Sequence, residues 1–307
     1  MISLLFIFLG SIFIAGIINR TTANFSGRKG QGIFQPIKDI IKLLKKGSVY
    51  SSVSSFVFKI APSVYFSSVL TAVLFIPFGS SGALLSFDGD FVMFAYILAL
   101  GKFFMIIASL DTGSSFEGMG ASREALYSML AEPAFFILLG SLGLLTGFSS
   151  FYKIFYFIHN AYSASSYISY TIGIMAALIF FALGLIENSR MPIDDPKTHL
   201  ELTMIHEVMI LDNSGFDLGL ILYTGCLKFS MYAALAANLF LNPYFPFYLN
   251  IVIFIGIQFL YGCFIGSIES FSARFRMNQN PQVIFALSSV TLLVFIAVMI
   301  LTGKFNY

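Results

Sequence analysis

The sequence has no tryptophan, two cysteines and three histidines among 307 residues. Without tryptophan, tyrosine alone is left to supply an interfacial aromatic belt at a membrane surface. Cys226 and Cys263 lie in apolar stretches, with no CxxC pair or Cys/His cluster near either. That pattern argues against an iron–sulfur or zinc site built by this chain alone, and each cysteine reads as a small packing residue. Charge is scarce too: Asp, Glu, Lys and Arg make up 10% of the chain, where soluble domains carry about a quarter. Water is therefore not its main solvent. A net charge of +2 offers no basic surface for nucleic acid. No internal repeat is visible, which weakens a reading as an inverted-repeat transporter. No nucleophile–base motif supports an enzyme acting alone.

Long apolar runs are abundant. Apolar residues reach 58% and mean hydropathy is +0.88. A membrane crossing needs about 20 mostly apolar residues. Eight stretches qualify, at about 1–18, 60–78, 91–110, 132–150, 168–187, 217–241, 247–268 and 283–302. The first lacks a basic leader, its earliest charge being Arg20, so it reads as a retained helix and not a cleaved signal. The expectation is an all-α membrane protein, a single polytopic domain over residues 1–307. Its inner loops fall at about 19–59, 111–131, 188–216 and 269–282.

Lysine and arginine orient this scheme. Alternation places thirteen of the 17 basic residues on one side, including Arg123, Arg190, Arg274 and Arg276. The positive-inside rule makes that side cytoplasmic and puts both termini outside. The expected location is the cell's inner membrane.

Acids follow the same side. Eleven of the 15 lie in two inner regions: one holds Asp111, Glu117, Glu124 and Glu132, the other runs from Glu187 to Asp217. Glu132 precedes Pro133, a favourable first helical residue, so a helix is expected to start there. Glu187 closes the apolar run YTIGIMAALIFFALGLI. A charge at mid-bilayer costs about 2.5–3.5 kcal/mol on insertion scales and defaults to a functional reading. The alternative is that both acids snorkel or pair with Arg123 and Arg190. Lys102 and Lys228 lie inside spans, either as counter-ions to a buried carboxylate or as proton carriers.

Two inner segments read as short helices. GIFQPIKDIIKLLKK is amphipathic from about Pro36, with Lys38, Lys42, Lys45 and Lys46 opposite Ile37, Ile40, Ile41 and Leu44. It either lies on anionic lipid or docks a partner. A second helix, at about 197–211, places Lys197 and Glu201 four apart and His199 and His206 seven apart on one face. His206-Glu207 is not HExxH and lacks a third ligand, so a partner-docking surface is favoured over a metal.

Taken together, GRKGQGIFQPIKDIIKLLKK, LDTGSSFEGMGASREAL, ENSRMPIDDPKTHLELTMIHE and ESFSARFR resemble the subunit 1 (H-subunit) family of respiratory complex I. The resemblance is closer to its hydrogenase branch, the membrane anchors of formate hydrogenlyase-like complexes, and spans nearly the whole chain in order. It implies an anchor and coupling subunit with no cofactor of its own. Iron–sulfur clusters and a nickel–iron centre would sit in peripheral large and small subunits, and antiporter-like membrane subunits would move protons or sodium. By position it implies a charge path through Glu132, Glu187, Asp194, Glu201 and Glu269, with Arg190 at a motif position and Lys102 and Lys228 alongside. Docking residues would include Lys38, Lys42, Asp111, His206, Glu207, Arg274 and Arg276. Lys197, Thr198 and His199 replace much of an acid-rich stretch of complex I members, and Gly225 stands at a position acidic there. The Arg-Pro-Gly-Pro-Asn pattern is absent. These departures favour the hydrogenase branch over a quinone-contacting subunit, the other readings being that subunit or a stand-alone ion transporter.

Overall fold

The computed structural model describes residues 2–79, 81–164, 166–195 and 204–303. Eleven helices follow in order: α1 (Ile2–Phe25), α2 (Gln35–Leu44), α3 (Phe56–Val73), α4 (Asp90–Asp111), α5 (Ser115–Thr146), α6 (Phe151–Ala164), α7 (Ser166–Glu187), α8 (His206–Met209), α9 (Gly215–Asn238), α10 (Phe247–Phe271) and α11 (Asn280–Leu301). No strand is present among the described residues beyond an isolated bridge between Phe78 and Ser81. Among the described residues, all of these helices but α2, α6 and α8 are long and apolar enough to cross a membrane, eight in all. The chain is a multi-pass membrane protein.

Helix α9 is the axis of the bundle, packed against α1, α2, α3, α7 and α10. Residues 226–239 are buried without a break. Ala233, Ala234, Ala236 and Ala237 keep this stretch thin, which lets neighbours approach from several sides. Close approach recurs where α1 crosses α10: a methyl group at Gly266 would collide with Thr21. On the other flank α3 packs on α4 and α5 on α11.

Two expectations are corrected here. The helix expected to begin at Glu132 begins at Ser115 and runs 32 residues. That is about 48 Å, longer than a hydrocarbon core of about 30 Å, so one end projects beyond it. Pro133 sits inside this helix, where it withdraws the amide that would bond to the Met129 carbonyl. Residues 115–131, expected in a loop, are helical because Glu117 and Glu124 face protein while Ala121, Tyr127 and Ala131 fill the core side. The second correction is α6, a helix in the stretch expected only to connect the spans at 132–150 and 168–187. Asp90 caps it from α4, accepting from the Phe151 amide at 2.7 Å and the Ser150 hydroxyl at 2.9 Å.

Helix α2 forms where the amphipathic pattern places it, with Pro36 in its first turn. It lies on α9, where Leu43 and Leu44 press on Gly219 and Ile40 is buried, while Lys38 and Lys42 are exposed. Ile41, expected on the apolar side, is exposed. Of the helix expected at 197–211, only His206–Met209 is seen as α8; Lys197, His199 and Glu201 lie outside the described residues.

Candidate functional site: a lysine–carboxylate cluster

The site is assembled at the C-terminal end of α7. Ser189 adopts φ 45°, a left-handed conformation rare for a residue with a side chain. The Ser189 amide bonds to the Ile186 carbonyl and the Arg190 amide to the Leu185 carbonyl, both at 3.0 Å. That is the paired closure by which helices end on a left-handed residue, a place usually taken by glycine. Here a serine takes it, and its hydroxyl donates to Glu124 Oε2 at 3.1 Å. The same turn leaves Glu187 as the last helical residue and projects Arg190 and Asp194 back under the bundle.

Four charges meet at Glu187. Lys102 Nζ on α4 lies 3.0 Å from Glu187 Oε2 and 3.2 Å from Glu124 Oε1 on α5. Lys228 Nζ on α9 reaches Glu187 Oε2 at 3.1 Å and the Glu187 carbonyl at 2.9 Å. The Lys228 side chain is 2% exposed and its ammonium stands 5.7 Å from the centre of the Tyr65 ring. Two lysines and two carboxylates give a quartet of no net charge. Buried ions of opposite sign within hydrogen-bonding reach satisfy one another, whereas a lone one would not be tolerated.

Glu132 stands apart from the quartet. It is on the exposed face of α5, with no hydrogen bond or ion pair among the described residues. It shares with Lys102, Glu187 and Tyr232 the wall of a cavity of about 40 Å³, room for a few waters. A second cavity of about 280 Å³ lies beneath α2, with Glu187, Ser189, Arg190, Asp194, His206 and Glu207 in its lining. Glu187 thus borders both spaces.

Two further ion pairs brace this region. Arg190 Nη1 meets Glu269 Oε1 at 2.9 Å, and the Thr22 hydroxyl donates to Glu269 Oε2 at 3.2 Å, tying the turn after α7 to α10 and α1. Asp194 is buried. It pairs with Arg274 at 2.7 Å and accepts from the amides of Asp195, Ile205 and His206. Burial raises the Asp194 carboxyl above its ordinary value, against the pull of Arg274 and these amides. Burial lowers His206; nearby Glu124 opposes that shift, while Lys228, Lys102 and Arg190 reinforce it. The 204–206 segment comes this close because Gly120 on α5 has no side chain to meet the Ile205 carbonyl.

The residues singled out in the sequence are brought together in part. Lys102, Lys228 and Glu187 form one cluster; Arg190, Glu269, Asp194 and Arg274 form the two adjoining pairs. Arg190 pairs with Glu269, not with Glu132 or Glu187. Arg123 donates to the Met204 carbonyl at 3.0 Å. Among the residues expected to dock a partner, Lys38, Lys42 and Arg276 are exposed. His206 and Glu207 line the larger cavity, and Asp111 accepts from the Ser55 amide at 2.7 Å. Two members were not singled out: Glu124, which read as one acid of the inner loop expected at 111–131, and Ser189, whose left-handed turn has no glycine to announce it. Among the described residues, no group of three or more His, Cys, Asp or Glu side chains could hold a metal ion.

Fold and cluster together define a helical membrane protein with an internally balanced charge cluster. The family model described as NADH dehydrogenase matches residues 1–302, and the chain belongs to the NADH dehydrogenase subunit 1 family. It is similar to formate hydrogenlyase subunit 4 of Escherichia coli, 38% identical over 133 residues, which cover 43% of each chain. To hydrogenase-4 component C of Escherichia coli it is 31% identical over 74% of this chain and 69% of that relative. The corresponding membrane subunit of the NADH-quinone oxidoreductase of Rubrobacter xylanophilus is 28% identical over 70% of this chain and 64% of its own length. The match thus spans less than half of the first of these relatives. A chain in the structure of the membrane-bound sulfane sulfur reductase, an archaeal respiratory membrane complex, shares the fold with a TM-score of 0.79 over 96% of both chains at 17% identity.

Proposed function

We propose that this chain is the membrane anchor and coupling subunit of an energy-converting, hydrogenase-type oxidoreductase complex. A peripheral arm with iron–sulfur clusters and a nickel–iron centre docks on the end that carries α2 and α8. The charge cluster links electron transfer there to proton or sodium movement through antiporter-like membrane subunits. The α2 end faces the cytoplasm of a cell with this chain in its inner membrane, and both termini lie outside. One observation carries the reading: Lys102 bridges Glu124 and Glu187 between two cavities, one under the docking end and one beside Glu132. A balanced charge network bordered by a space for a few waters on one side and a larger polar-lined space on the other suits relayed protons. Similarity to formate hydrogenlyase subunit 4 and hydrogenase-4 component C supports the hydrogenase assignment.

A second reading, a quinone-contacting subunit, draws on the 280 Å³ cavity and on the NADH-quinone oxidoreductase relatives. Purification through a tag on this chain in mild detergent separates the two. Co-purified nickel with hydrogen evolution from a reduced low-potential donor supports the hydrogenase reading. Quinone reduction without nickel or hydrogen would replace it with the second.

A further inference from the structure

The two lysines of the quartet are not equivalent. Lys228 is held by a backbone carbonyl, a carboxylate and the Tyr65 ring, and is sealed in the core. Lys102 has carboxylate partners only, its side chain is 12% exposed, and it lines the 40 Å³ cavity with Glu132. A lysine ammonium is a compact charge on a flexible four-carbon stem, able to change seats without moving backbone. Every packed element presents a group to it: Tyr65 from α3, Glu124 and Glu132 from α5, Glu187 from α7, His206 from α8, and Lys228 and Tyr232 from α9. In the arrangement seen, Lys102, Lys228, Glu124 and Glu187 balance, which leaves no cation to spare for an ionised Glu132.

We propose that Lys102 is a two-position switch, seated between Glu124 and Glu187 while Glu132 holds its proton and turning toward Glu132 when that proton leaves. This rests on the coupling role proposed above and assigns its moving part. In the second seat Lys102 keeps Glu187 and gains Glu132, while Glu124 loses its cation. Glu124 retains the hydroxyl of Ser189, which lines the cavity beneath α2 together with His206, and takes up one proton from that cavity by way of this hydroxyl. One proton has then left at Glu132 and one has entered at Glu124, so net charge is conserved. Return of Lys102 expels the proton from Glu124 toward Glu132 and resets the quartet. Lys228 stays fixed and keeps Glu187 ionised throughout.

The test is infrared difference spectroscopy on the intact complex as pH is raised, with the Glu124 carboxylic acid band assigned through Glu124→Gln. The wild type is expected to gain a Glu124 acid band as Glu132 ionises. Glu132→Gln, which cannot ionise, is expected to lose that band at every pH. Lys102→Arg, with a stiffer planar head, is expected to shift the pH at which the band appears. A Glu124 signal identical in wild type and Glu132→Gln would overturn the switch. Loss of ion movement in Glu132→Gln with an unchanged Glu124 signal would leave the coupling role standing and make Lys102 static.

Discussion

Lys228 grips Glu187 twice, through its carboxylate at 3.1 Å and through its main-chain carbonyl at 2.9 Å. The carbonyl is one of those a helix leaves unpaired in its last turn. A single ammonium from α9 therefore caps α7 and neutralises its terminal acid. Placing the positive charge at a helix C-terminus also complements the helix dipole.

Lys228→Met is expected to destabilise the protein by about 3–5 kcal/mol, the usual effect of removing one partner of a buried ion pair. Lys228→Met with Glu187→Gln removes both charges and is expected to recover part of that loss. Thermal unfolding in detergent, compared across the double-mutant cycle, reads the coupling directly. Additive losses would mean that the two residues act independently.

Ser189 carries two effects that mutation can separate. Ser189→Ala loses the hydrogen bond to Glu124, about 1.5–3 kcal/mol for a charged acceptor, and keeps the left-handed backbone. Ser189→Gly loses the same bond but relieves about 1–2 kcal/mol of left-handed strain. Ser189→Gly should therefore be the more stable by about 1 kcal/mol, as glycine is at this place in a helix end. Equal melting temperatures for the two variants would show that the turn stores no strain.

Much of the architecture follows from sequence because the bilayer imposes it. An apolar run near 20 residues long has few structures open to it, so eight spans and the amphipathic 36–44 segment are legible. Residues 115–131 are not, because Glu117, Ser122, Arg123 and Glu124 resemble a solvated loop until the segment around α8 and the turn after α7 meet Glu117, Arg123 and Glu124. Nor is the pairing. Arg123 and Arg190 are near the acids along the chain, yet the cations that reach Glu187 come from α4 and α9, which only the packing of the bundle brings there. Asp90 shows the same limit: in sequence it is the residue before an expected span, but in space it caps a helix 61 residues away.

The segment around α8 should loosen in mild acid. Burial, with Lys228, Lys102 and Arg190 nearby, holds His206 below its ordinary value of 6.5. With the folded value the lower one, the opened segment binds the proton more readily. Stability is complete above 6.5 and is lost as pH falls toward the folded value. Hydrogen exchange of the amides at 204–210, corrected for intrinsic chemistry, should show more opening at pH about 5.5 than at about 7.5, on either side of that ordinary value. His206→Gln should abolish the difference; an unchanged pH response in that variant would remove His206 as its source.

The most direct measurement is ion movement by the purified complex in sealed proteoliposomes, followed beside electron transfer in the same sample. Glu187→Gln removes one charge from the quartet while keeping the shape of the side chain. The result expected is hydrogen evolution or quinone reduction near the wild-type rate, with proton or sodium uptake reduced at least tenfold. Uptake per electron equal to wild type would show that the cluster of Lys102, Glu124, Glu187 and Lys228 has no part in coupling.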